Sequence, residues 1–154
     1  TVYFYFENKR AVIDRLIQQA FAEIGEAAAP YLEGRGEPRV ELRLALSRVV
    51  AAVNRHASIL LLAAHLSGRE DRLPPEWEPY IKRLVAAAEA RIRRDQERGI
   101  APKDIPPRIC AQALCAMVER HLSMEVVRGG GDANESIRVL AELWWRAVYS
   151  RPAS

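Results

Sequence analysis

Two cysteines in 154 residues are too few for a disulfide scaffold. Cys110 and Cys115 lie five apart in one apparent helix, so their side chains point in different directions. As small buried apolar residues they fit a reducing cytoplasm. With only 8 Gly and 9 Pro there is no collagen-like or low-complexity repeat, and 49% hydrophobic content excludes a disordered chain. The longest apolar run without a charge, residues 57–68, is about a dozen residues, short of the ~20 that cross a bilayer. The residues before the first periodic segment carry no signal-peptide pattern, although a start removed from the chain could hold one. Strand patterns are missing too: there is no sustained alternation of β-branched residues and no Asn-Gly or Asp-Gly hairpin turn. Excess charge of one sign is small. Lys+Arg at 23 against Asp+Glu at 20 leaves +3, which by itself announces neither nucleic acid nor a membrane.

What is present is helical periodicity in a chain long enough for one core. Asn8 reads as the N-cap of a helix running to about Ala29, with Val12, Leu16, Ile17, Ala20, Phe21 and Ile24 on one stripe. Pro30 and then Gly34 and Gly36 end it. A second helix starts near Pro38 and carries Leu42, Leu46, Val49, Val50 and Val53. The pattern falters at residues 54–58, resumes as a short buried helix over 59–66, and gives way to a charged loop over 68–75. A long helix follows over 75–98, with Trp77, Ile81, Leu84, Val85, Ala88 and Ile92 on one face. Arg91, Arg93, Arg94 and Arg98 read as a solvated face that suits the helix C-terminus, and Gly99 as the residue that ends it. After a stiff segment at 102–107, helices are expected over 107–128 and 132–150, the last capped by Asp132 or Asn134. Both are apolar on more than one side, which means deep burial or burial against a second subunit.

No catalytic or metal-binding constellation is found in the sequence. His56, His65 and His121 are scattered, and there is no HExxH, zinc-spaced Cys/His pair, phosphate-binding glycine loop or GxSxG. No enzyme, no metal and no cofactor are expected. Glu119 stands out as one acidic residue in the apolar stretch 111–122, beside Arg120. It is either a partly exposed ion pair or a polar anchor in an apolar pocket.

The opening run holds an aromatic-dense turn followed by a capping residue and a lysine. Thr1, Tyr3, Tyr5, Phe6, Asn8 and Lys9 resemble the signature that closes the DNA-binding domain of TetR-family transcriptional regulators. Trp77, the stretch 97–102, the stretch 117–120 and Leu143-Trp144-Trp145 with Val148-Tyr149 are similar to the EthR-like actinobacterial repressors within that family. Twenty arginines against three lysines suit a GC-rich genome of that kind.

The resemblance implies an all-α, TetR-like C-terminal ligand-binding and dimerisation bundle over 8–154. Residues 1–7 would be the remnant of a helix-turn-helix domain, at the end of its recognition helix, so this chain alone would bind operator DNA poorly. The implied function is a cytoplasmic, ligand-responsive repressor that releases operator DNA when a small apolar effector fills its core. The positions matching the effector pocket are Leu42, Leu46, Val50, Val53, Trp77, Ile81, Leu84, Ala88, Cys115, Val118, Glu119, Leu122 and Trp144. Leu42, Val50, Val53 and Leu84 stand where relatives carry aromatics, and Cys115 and Val118 where they carry amides. The pocket should therefore be differently shaped and poorer in hydrogen bonds. Tyr3, Tyr5 and Lys9 match contacts to the DNA backbone, and Phe4 and Phe6 would pack between domains. A homodimer would form through the last two helices, with Ala113, Met117, Val139, Leu143 and Ala147 at the interface. The rival reading is a helical small-molecule carrier without a DNA role, which the residues also accommodate.

Overall fold

Prolines, caps and glycines divide the chain into helices. The structure is a computed structural model that describes residues 2–68 and 75–152, the side chains of residues 2–6 and 127–128 excepted. In order, the helices are α1 (Val2–Ala27), α2 (Ala29–Leu32), α3 (Pro38–Arg55), α4 (Ala57–Leu66), α5 (Glu78–Glu97), α6 (Pro107–Arg128) and α7 (Ala133–Tyr149). A 3-10 turn, Pro75–Trp77, leads into α5. The described residues hold no strand, and none of their helices alone is long and apolar enough to cross a membrane.

Local chemistry explains most boundaries. Pro38 opens α3 where its missing N–H is harmless, and the Glu37 carboxylate accepts from the Arg39 N–H. Asp132, of the two candidates, caps α7 by accepting from the N–H groups of Asn134 and Glu135. At the end of α5, Gly99 takes φ +77°, which lets Gly99 N–H reach Gln96 O and Ile100 N–H reach Asp95 O. Residues α3 and α4 share the break at His56, where the chain bends by 66°.

Three expectations are corrected. Asn8 is not an N-cap: α1 runs through it from Val2, because residues 2–10 contain no glycine or proline and an internal Asn costs a helix little. The buried stripe of α1 is Ile13, Ile17, Ala20, Phe21 and Ile24, whereas Val12 and Leu16 are exposed at 57% and 46%. The arginine run of α5 is not all solvated, since Arg91 is fully buried. Most of the loop expected at 68–75 lies outside the described residues.

Two core clusters share α3, α6 and α7. One joins Ile17, Phe21 and Ile24 to Leu46, Val50, Val53, Trp77 and Leu122. The other joins Tyr31, Leu42 and Ala88 to Cys110, Leu114, Cys115, Trp144 and Val148. Cys110 and Cys115 are both buried and unbridged.

Candidate functional site

Between the two clusters the packing is incomplete. About 130 Å³ remains open to the centre of a water-sized body, roughly ten such bodies by volume. The walls come from all seven helices and the turn before α5. Leu42, Leu46 and Val53 project from α3, Trp77, Ile81 and Leu84 from the start of α5, and Cys115, Val118, Glu119 and Leu122 from α6, with Trp144 from α7. These are eleven of the thirteen positions singled out in the sequence. Val50 and Ala88 are buried but do not line the cavity. Val50 packs in the first cluster and Ala88 in the second, each on a neighbouring side of its helix.

The sequence pattern did not single out the other walls. Phe21 and Ile24 of α1, Ala28, Tyr31 and Leu32 around α2, and Leu60, Leu61 and Ala64 of α4 all face the space. Ala45, Val49, Ser123 and Val126 complete it. Periodicity marks Phe21, Ile24 and Leu60 as core residues, and nothing in a single stripe separates a cavity wall from solid packing.

Few wall groups are polar, and at one end of the cavity Tyr31 and Trp144 are already engaged. Trp144 Nε1–H donates to Tyr31 Oη at 3.2 Å, and the Tyr31 and Tyr149 hydroxyls are 2.8 Å apart. Tyr149 Oη donates to Asp95 Oδ2 at 2.6 Å, which also accepts from Arg91 Nε–H at 2.7 Å. Arg91 Nη1–H donates to the carbonyls of Tyr31 and Gly34, and Arg91 Nη2 stands 3.0 Å from Glu41 Oε1. A buried chain of polar groups thus ties one end of the cavity to α2, α3, α5 and α7. Burial pushes the Tyr31 hydroxyl up to about 12 despite its hydrogen bonds, so it stays neutral. Burial opposes the charge on Arg91, but the Asp95 hydrogen bond and neighbouring groups leave its pKa raised.

The other end of the wall is unlike this. Glu119 carries a half-buried carboxyl whose pKa burial raises, the nearby Trp77 indole lowering it only in part. Trp77 Nε1–H is buried and closes no hydrogen bond. Among the described residues Glu119 makes no ion pair with Arg120 or any other cation, and its side chain lines the cavity. Cys115, one turn away, is held as a neutral thiol, pushed up to about 12 by burial and then by Glu119.

Of the DNA-backbone positions, Lys9 is exposed on α1, whereas the side chains of Tyr3 and Tyr5, like those of Phe4 and Phe6, lie outside the described residues, as does Thr1. Of the expected interface positions, Ala113 is exposed, as are Val139 at 37% and Leu143 at 46%. Met117 and Ala147 are half-buried, Met117 packing against both core clusters and Ala147 against the second, so each turns partly inward.

An all-helical body whose last four long helices surround an apolar space has a counterpart among known families. The model of the C-terminal domain of the transcriptional regulator EthR matches residues 42–150. The chain belongs to the EthR family. It is similar to the HTH-type transcriptional regulator EthR of Mycolicibacterium smegmatis, at 24% identity over 155 residues, covering 97% of this chain and 70% of that protein. The EthR proteins of Mycobacterium tuberculosis strain H37Rv and of Mycobacterium bovis are each 22% identical over 153 residues, covering 97% of this chain and 71% of theirs. The chain is therefore an all-α member of a family of TetR-type transcriptional regulators, and its relatives carry the name of transcriptional regulators. The match over 42–150 takes in most of α3 through α7, the helices that supply all thirteen expected pocket positions.

Proposed function

We propose that the chain is the effector-binding and dimerisation part of a cytoplasmic, ligand-responsive transcriptional repressor, and that its effector is a small, largely apolar molecule held between the two core clusters. The observation that carries this reading is the cavity itself. Native cores close to crystal-like density with few voids larger than a water, yet here room for several waters opens onto Phe21, Leu46, Trp77, Leu84 and Val118. An apolar void of this kind is a poor place for water and a good one for a hydrocarbon group. The wall is shared by α1, whose first turns bear Tyr3, Tyr5 and Lys9, and by α6 and α7, which carry the proposed dimer face. A ligand that favours one arrangement of these helices changes the spacing of two DNA-reading heads across a dimer, and half-sites one helical turn apart tolerate little change.

The test uses the full gene product, operator DNA and a tight apolar ligand. Operator affinity is expected to fall when the cavity is filled, whereas unchanged affinity at saturating ligand rejects the switch.

A further inference from the structure

The inference concerns the chemistry of the occupant and rests on the ligand-binding reading above. We propose that the cavity takes an apolar molecule bearing one basic nitrogen, whose ammonium group meets the Glu119 carboxylate beside the Trp77 ring.

Among the described residues Glu119 is the only carboxylate in the cavity wall, where the remaining polar groups are the Trp77 and Trp144 indoles, the Tyr31 and Ser123 hydroxyls and the Cys115 thiol, none of them a cation. Other carboxylates that pack into the body have cations of their own: Asp95 has Arg91 and Arg98, Glu41 has Arg91, Glu23 has His56 and Arg55, and Glu142 has Arg39 and Arg146. Glu119 has none among the described residues. The Trp77 indole N–H, on a side chain only 6% exposed, faces the same carboxylate without closing a full hydrogen bond. A neutral indole donor beside the carboxylate supplies no charge, so the missing cation leaves an unmet requirement for positive charge. An ammonium donor meets it, leaving the carboxylate free to accept from the indole as well.

The alternatives fit less well. A fatty acid or other anion brings like charge into a space of low dielectric. An alcohol or ester supplies one neutral hydrogen bond, roughly half as strong as a charge-assisted one. Trp77 and Phe21, whose ring centroids are 4.9 Å apart, both line the cavity, and aromatic rings favour a cation further. Burial holds the Glu119 pKa up in the empty cavity, and a bound cation reverses that effect. The volume suits a ligand of roughly ten non-hydrogen atoms before the walls move.

Octylamine, 1-octanol and octanoate share a chain and differ in charge, so titration calorimetry of the protein with each at pH 7 isolates the headgroup. Octylamine should bind about tenfold or more tighter than 1-octanol, with octanoate weakest. In Glu119→Gln the octylamine advantage should vanish while 1-octanol affinity stays within about twofold, since its apolar contacts remain. Glu119→Leu serves the same purpose if the glutamine variant is not folded by circular dichroism. Equal binding of octylamine and 1-octanol, or an amine preference that survives loss of the carboxylate, overturns the proposal while leaving the cavity a ligand site. Failure of all three to bind rejects the ligand-binding reading itself, and this inference with it.

Discussion

Arg91 and Glu119 show how the same kind of residue takes different roles according to what surrounds it. Arg91 belongs to a run of arginines near a helix end, a pattern that normally faces water, and nothing in its spacing separates it from Arg93 or Arg94. Its burial comes from distant partners, the carbonyls of Tyr31 and Gly34 and the Glu41 carboxylate. Such contacts are invisible to a local reading. The buried Arg91–Asp95 pair should be costly to break from one side, because a lone buried charge is left behind. Asp95→Asn is expected to lower unfolding free energy by about 3 kcal/mol in urea titration, with an unchanged m-value. Glu119 was legible as an exception, one acid in an apolar run, but whether it paired with Arg120 required coordinates. Its raised pKa has a sign that can be checked. The folded protein holds this proton above the unfolded value of 4.5, so the group favours folding below 4.5 and the benefit is lost as pH rises through the folded pKa. Glu119→Gln should therefore be more stable than the parent at pH 7 in the absence of ligand. That difference should shrink toward zero as pH falls below 4.5, and a constant difference would refute the assignment.

Helix positions followed closely from sequence because the punctuation is strong: Pro38, Gly99, Pro107 and Asp132 each do what their chemistry dictates. The miss at Asn8 has a physical cause. A capping residue stops a helix only if something upstream prevents propagation, and residues 2–7 are aromatic, aliphatic and acidic residues that a helix accepts. For α6 and α7 the two-sided apolar pattern was legible, and the structure divides it into a buried side and an exposed one. Leu114, Leu122, Leu140, Trp144 and Val148 point inward, whereas Ile109, Ala113, Val139 and Leu143 are open to solvent. An exposed apolar strip of this kind on adjoining elements is the surface a symmetric partner would cover. If it does, Leu143→Asp should convert the species seen by sedimentation from dimer to monomer at micromolar concentration, with helicity retained. A parent chain that is monomeric at high micromolar concentration would remove the interface assignment altogether.

At the scale of the whole molecule, the cavity is a property of no single helix, which is why eleven of its thirteen expected positions line it while the walls from α1, α2 and α4 went unmarked. A periodic stripe records that a face is buried. It does not record whether the facing stripes meet, and here the stripes of α3, α5 and α6 leave a cavity between them. If that gap is kept open for a ligand, the protein forgoes dispersion contacts along the whole wall, and filling the gap should restore them. Val118 sits on α6 among the wall residues, so Val118→Phe adds an aromatic ring to the space without replacing a polar group. Two effects should appear together in thermal unfolding. The variant's Tm without ligand should rise by a few degrees, about what 1 kcal/mol gives in a domain of this size. Added octanol or octylamine should no longer raise it, whereas at about a hundred times its Kd a ligand of the parent chain adds about 2.7 kcal/mol. A lower Tm would mean that the walls are already in contact and that the ring overpacks them. A ligand shift retained in full would mean that the ligand binds elsewhere.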